Sequence, residues 1–264
     1  MEIKIVDVNL HNLADFLALC RCNLEIRDHI FRISEKIRSK WAYEAVNRFG
    51  TIGKIAYIHE NPVGFIQFIP DIKERALLIT CILIPNPEDR GLGIGRRMVE
   101  TLICDAAKPK DFFGGKGART LITYPPPVET SLEEFFEKMG FRHISPFSSI
   151  LYYPIERYMP QLKRRIYKPS SEEKNDIIVF YDPSCPVATY LSLRVGVLLK
   201  EITKGMRIPI KMVNMLEKGD LYTIFPLCLV KGKPIDITLE DEEAFRREVI
   251  RRLGTESCET VNIC

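Results

Sequence analysis

Three glycines at alternate positions, Gly91, Gly93 and Gly95 in the run PEDRGLGIGRR, are the residues whose type and spacing point most directly to chemistry. Lacking Cβ atoms, they can adopt positive φ and let the backbone approach a ligand closely. They are followed by GIGRRMVETLICDAAK, in which Ile94, Met98, Leu102, Ile103 and Ala106 fall on one face at helical spacing. They are preceded by ALLITCILIP (76–85), an uncharged run that ends at Pro85 and suits a buried strand. A glycine turn opening a helix makes an anion site, because unpaired N–H groups and the positive end of the dipole face the ligand. Phosphate is the expected guest.

Other residue types set limits. The chain has 264 residues, 46% hydrophobic and 28% charged, which is enough for two domains. A net charge of +3 argues against a nucleic-acid partner, and KRRIYK (163–168) reads as a solvated cluster. No apolar run reaches the roughly eighteen residues of a membrane span, and MEIKIVDV is not a leader, so a cytoplasmic protein is expected. The eight cysteines read as reduced thiols. Cys20-x-Cys22 is too close for a zinc pair and the four histidines are scattered, so no metal is expected.

The elements that must position the glycine turn follow from periodicity. EIKIVDV is a strand, Asn9 or Asn12 caps a helix through LADFLALCRC, and a second helix covers 34–49 up to Gly50. Trp41, Tyr43 and Phe49 on it read as core residues, with a substrate pocket as the alternative. GKIAYIHE and VGFIQFIP form a hairpin across the turn ENP and lead into the strand at 76–85. A dinucleotide-binding βαβ unit would need a parallel strand here, so the antiparallel meander excludes it. After the helix that the glycine turn opens come a Gly/Lys loop (108–118), the strand RTLITYP, and a helix TSLEEFFEKMGF with Ser131 and Glu134 as a capping box. Gly140 ends that helix and HISPFSSILYYPI supplies a last strand or hairpin.

Residues 1–156 resemble the GNAT superfamily of acetyl-CoA-dependent N-acyltransferases. Pro87 to Gly95 fits the family's R/Q-x-x-G-x-G/A loop, and Phe135-Phe136-Glu137-Lys138-Met139-Gly140-Phe141 looks like its F-Y-x-K-x-G-F helix. The resemblance implies a mixed, mostly antiparallel sheet flanked by helices, an α/β (α+β) fold. It implies a transferase that moves an acetyl group from acetyl-CoA to the amine of a small molecule or peptide, by direct attack on the thioester. Arg90, Gly91, Leu92, Gly93, Ile94, Gly95 and Arg96 would hold the pyrophosphate, Leu83 and Ile84 the pantetheine arm, and an amide near Leu83 the thioester oxygen. Three departures stand out. Phe136 occupies the position of the family's tyrosine acid, so the acid is either dispensable and absent or supplied by Tyr124, Tyr152 or Tyr153. Pro85 offers no N–H to pantetheine. Glu129 replaces an Asn, and is either a base for the amine or a solvated loop residue. A non-catalytic acyl-CoA sensor or scaffold is the rival reading.

Residues 157–175 have the composition of a linker, 176–254 form a second module of order β-α-β-β-β-α, and 255–264 a tail. The module resembles a minimal thioredoxin or glutaredoxin fold. Cys185 in VFYDPSCPVA stands where that family keeps its attacking thiol, Pro226 is the cis-proline candidate, and Gly232-Lys233 makes the turn. Ala188 replaces the resolving cysteine, so Cys185 is either a monothiol redox residue, with Cys228 or a tail cysteine as partner, or an inert residue used in packing or in a homodimer contact. The two modules together resemble the YoaP-like acetyltransferases.

Overall fold

The computed structural model of the chain describes residues 2–20, 28–125, 130–162, 164–235, 237 and 239–254. Two compact units are present. The first comprises Met1–Glu25 and Ser39–Leu162, the second Ile26–Arg38 and Lys163–Cys264.

The first unit is built from β1 (Ile3–Asp7), α1 (Leu13–Leu19), the later part of α2 (His29–Phe49), β2 (Gly53–Ile58), β3 (Asn61–Asp71), β4 (Ala76–Leu83), α3 (Ile94–Ala106), β5 (Thr120–Thr123), α4 (Thr130–Lys138), β6 (Arg142–His143) and β7 (Leu151–Pro154). The strands lie in the order β1-β2-β3-β4-β5-β7-β6. Every pairing is antiparallel except β4 with β5. This is the mixed, mostly antiparallel sheet flanked by helices that was expected.

Alternation along the strands feeds two cores. On one face Ile66, Phe68, Leu77, Ile79 and Leu121 pack against α3 and α4. On the other, Ile55 and Phe65 pack against α1 and the end of α2, with Phe16 edge-on to Phe65 at 5.0 Å. Trp41 and Phe49 belong to this second core and Tyr43 is exposed. The buried Lys54 of β2 hydrogen-bonds Asp7 of β1 at 2.7 Å and also Asp105 of α3, which Lys108 holds from the other side at 2.6 Å. Burial works against the Asp105 carboxylate, yet the two lysines hold it below the ordinary range.

Several local expectations shift. α2 starts at His29, five residues before the expected 34. The β2–β3 turn is His59–Glu60, both with positive φ, because a two-residue turn of that hand matches the twist of a hairpin; Asn61 already lies in β3. Ser131 falls inside α4 and is therefore not its N-cap, and Glu134 faces Lys138 at 3.4 Å instead. Gly140 ends α4 with φ of 91°, as expected.

The second unit holds β8 (Arg165–Ile166), β9 (Ile177–Tyr181), α5 (Pro186–Ile202), β10 (Ile210–Asn214), α6 (Met215–Lys218), β11 (Thr223–Ile224), β12 (Cys228–Val230), β13 (Lys233–Pro234) and α7 (Glu242–Leu253). Its main sheet runs β10-β9-β12-β13, with β9 and β10 parallel and the rest antiparallel. Ile177, Val179, Cys228 and Val230 pack under α5 and α7. The expected β-α-β-β-β-α order is present, with α6 and the small β8–β11 pair added. No peptide bond among the described residues is cis, so Pro226 is trans and the cis-proline expectation does not hold. The turn between β12 and β13 is Lys231–Gly232, one residue earlier than expected.

The unit boundaries also differ from those expected from composition. The stretch read as linker, 157–175, divides at 162/163, and its later part folds onto the second unit. There Tyr167 stacks on Phe225 at 5.1 Å and donates to Glu173 at 2.7 Å. Residues 26–38 join the same unit, where Tyr190 donates to Asp28 at 3.0 Å. No helix among the described residues is long and apolar enough to cross a membrane.

Two stability outcomes follow. Lys54→Ala removes the buried cation that joins Asp7 to the half-buried Asp105, which keeps Lys108, and is expected to cost about 1–2 kcal/mol in urea unfolding of the first unit. Burial opposes ionisation of Glu173, but Lys218, Ser170 and Tyr167 bring its carboxyl from 4.5 down to about 2. Its contribution is therefore in full force above pH 4.5 and is lost as the pH falls towards 2. Glu173→Gln should flatten the acid limb of the second unit's pH–stability curve, measured by denaturant titration at pH 2 to 6.

Candidate functional site

The site grows out of a change of partners along β4. Its residues Ala76 to Leu83 pair with β3 throughout, but only Ala76 to Ile79 pair with β5, opposite Thr120 to Thr123. From Thr80 onward one edge of β4 has no strand partner among the described residues. The register against β3 slips there, since Gln67 faces Cys81 while Phe68 faces Ile79, so Thr80 is the extra residue of a β-bulge. Gln67, 2% exposed, donates from Nε2 to the Thr80 hydroxyl at 2.9 Å and stitches the bulge.

Beyond Leu83 the chain passes Pro85 into a single 3-10 turn, Pro87–Asp89, and then into the glycine run. Gly91 and Gly93 have φ of 75° and 78°, which confirms the need for glycine at those two positions. A Cβ added at either would meet nothing within 4 Å, so the space over the loop is open. Arg97 N–H donates to the Gly93 carbonyl at 3.0 Å, the first bond of α3. The earlier N–H groups of its first turn have no acceptor inside the helix and point out of its N-terminus.

The expected cofactor residues divide by role. Leu83 and Ile84 are half-buried and turn to opposite faces of the sheet. Ile94 is 1% exposed and anchors the loop in the core, whereas Leu92 and Arg96 are exposed. Arg90 is turned back. Its Nε donates to the Ile84 carbonyl at 3.0 Å and its Nη2 to that of Pro85 at 3.2 Å, so it braces the loop against the end of the strand. Gly64, which carried no sequence signal, and Phe135 of the FFEKMGF run also shape this region. A Cβ on Gly64 of β3 would come within 2.9 Å of the Leu83 carbonyl, so only glycine lets the strands close there. Phe135 of α4 lies against Gly95, 3.5 Å from where its Cβ would be.

Phe136, which stands at the family's tyrosine position, is 1% exposed and packs edge-on against Phe135 and Phe141. Tyr124 is half-buried just past β5. Tyr153 is a core ring beside Phe141, and Tyr152 pairs across the sheet with Ile122 and Arg142. Glu129 lies outside the described residues. A separate cavity of about 450 Å³ over β1 and β2 is lined by Lys4, Val6, Tyr57 and His59. Burial and Asp15, which accepts from the Tyr57 hydroxyl at 2.7 Å, raise that phenol's pKa and disqualify it as a base.

Cys185 belongs to the second unit, at the N-cap of α5, where its sulfur accepts from Ala188 N–H at 3.5 Å. Burial pushes this thiol up, Asp182 adds to the effect, and the Ala188 amide opposes it. Asp182 itself is raised by burial, although the Ser184 amide and hydroxyl both donate to it. Burial pushes Cys228 up to about 12. The described cysteines, Cys20, Cys81, Cys104, Cys185 and Cys228, are not joined in disulfides.

Comparison with known proteins places this geometry. Residues 52–143, which run from β2 through the glycine loop to β6, match the family model described as an acetyltransferase (GNAT) domain. Among solved structures, the chain is similar to a PaiA N-acetyltransferase from Thermoplasma acidophilum in complex with coenzyme A. The identity is 14% and the TM-score 0.43, over 58% of this chain and 99% of that one. It is similar also to the ribosomal-protein-S18-alanine N-acetyltransferase of Escherichia coli (16%, TM-score 0.43, 61% and 99%). A GNAT family acetyltransferase from Brucella melitensis in complex with acetyl-CoA matches at 14% and a TM-score of 0.41, over 61% and 92%. No curated protein matches the sequence. The family match lies within the first unit and covers about a third of the chain, and these distant structural likenesses add no argument to it.

Proposed function

We propose that the first unit is an N-acetyltransferase that uses acetyl-CoA and acts on an amine of a small molecule or peptide. The observation that carries this reading is the one-sided edge of β4 running directly into the glycine loop and the N-terminus of α3. The residues fit the co-substrate. Open space over Gly91 and Gly93, backbone free of Cβ atoms and a helix N-terminus together suit a pyrophosphate. The amides from Gly91 to Gly95, with Arg96, would hold it. Arg90 serves by fixing the loop to the strand. The free edge of β4 at Leu83 and Ile84 would accept the pantetheine arm as an added strand.

When bound, acetyl-CoA supplies an activated acetyl thioester. A β4 amide near Leu83 would hold the carbonyl oxygen as it gains negative charge, an interaction stronger in the transition state than in the ground state. Glu129 is the base assigned to the amine, and Tyr124 the acid. Phe136 has no proton to give and is buried, which supports the second reading, a non-catalytic acyl-CoA sensor. Thiol chemistry at Cys185 is disfavoured, because burial of the sulfur outweighs its place at a helix N-terminus.

Gly93→Glu places a carboxylate against the pyrophosphate and should weaken acetyl-CoA binding at least tenfold by calorimetry; unchanged affinity would overturn the site. Release of CoA across a panel of amines separates the enzyme from the sensor, which would bind saturably and release none. Cys185 should alkylate more slowly at pH 7 than a free cysteine derivative, speeding up with rising pH, when followed by mass spectrometry. Faster labelling than the free thiol would restore the redox reading.

A further inference from the structure

Three side chains converge where α4 meets the β6–β7 hairpin. Glu133 and Glu137 are one helical turn apart on one face of α4, and His143 stands on β6. The His143 Nε2 is 3.2 Å from Glu133 Oε1 and 3.2 Å from Glu137 Oε1, and one donor atom from each residue lies within 4.8 Å of the others. The other ring nitrogen, Nδ1, is 2.7 Å from the Ser148 carbonyl. A carbonyl only accepts, so Nδ1 carries the hydrogen, and Nε2 is the ring atom that faces the two carboxylates.

The three donor atoms are close enough together to serve one metal ion. Ligands bound at about 2.0–2.1 Å around a tetrahedral ion are separated by about 3.3 Å, close to the spacing observed here. The hydrogen bond from a ligating imidazole to a backbone carbonyl is the usual outer-shell device for orienting such a ring. That carbonyl belongs to a held loop, in which Ser148 N–H bonds the Ser145 carbonyl at 3.0 Å and Ile150 N–H bonds the Ser148 hydroxyl at 3.0 Å.

We propose that Glu133, Glu137 and His143 form a binding site for one divalent transition-metal ion, with zinc as the best match. Two carboxylates balance the charge of the ion, and an imidazole beside them selects zinc over magnesium or calcium. Three protein ligands leave a fourth position for water or an exogenous ligand. The ion ties α4 to the hairpin. The same helix presents Phe135 to Gly95, so occupancy would stiffen the support of the glycine loop, while the site itself stands independently of the acetyl-CoA reading.

The test uses the full chain, stripped with a chelator and titrated with zinc alone by calorimetry, with thermal unfolding read in parallel. The expected result is saturable binding of one ion and a rise in melting temperature, both lost in Glu133→Gln/Glu137→Gln and in His143→Gln. Cobalt substitution distinguishes this site from the thiols. A tetrahedral visible spectrum without a sulfur charge-transfer band is expected, whereas such a band would assign the metal to cysteines and overturn the proposal. Absence of saturable binding, or binding unchanged in the variants, would overturn it as well.

Discussion

The first unit depends on one limit in its hydrogen bonding: β4 shares only four residue pairs with its parallel neighbour β5. Both edges of β4 are satisfied up to Ile79, and beyond it one row of backbone groups has lost its strand partner. Unpaired backbone groups away from water are costly, so such an edge either ends or is offered to a ligand. Here the strand continues for four residues and turns into a helix N-terminus whose own first N–H groups lack partners. The bulge at Thr80 bends the strand where its second partner ends, Gly64 lets β3 close on Leu83, and Arg90 ties the loop to the end of the strand.

The loop works only if α3 is held firmly, and electrostatics contribute to that hold. Asp105 sits in the last turn of the helix, where the dipole disfavours a negative charge. Lys54 and Lys108 reverse that penalty by pairing with it from two sides, and Lys54 carries the connection on to Asp7 in β1. At the other end, Ile94 and Met98 seat the first turn in the core while Gly93 leaves its solvent side bare.

In the second unit the balance between burial and dipole runs the other way. Cys185 has the position of a reactive thiol, at the N-cap of a seventeen-residue helix. Its surroundings remove the advantage, since burial and the nearby Asp182 carboxylate both disfavour the thiolate. A helix N-terminus lowers a thiol pKa only where the sulfur remains partly solvated.

The sequence by itself determined the elements whose signal is local. The strand read at 76–85, which ends at Leu83 in the fold, the glycine turn, the amphipathic α3 and the helix closed by Gly140 were legible, because periodicity and positive φ are properties of a few consecutive residues. The tertiary structure decided what depends on partners far along the chain. It split the family's motif into Phe136 in the core and Phe135 against Gly95, a difference of one residue that composition cannot register. It turned Arg90 from a ligand candidate into a brace, since a guanidinium goes to whichever carbonyls the fold places within reach. It folded the charged stretch after residue 162 onto the second unit through Tyr167, and drew residues 26–38 into the same unit. It also brought His143 to face Glu133 and Glu137, a meeting set by a turn and a hairpin and carried by no spacing rule.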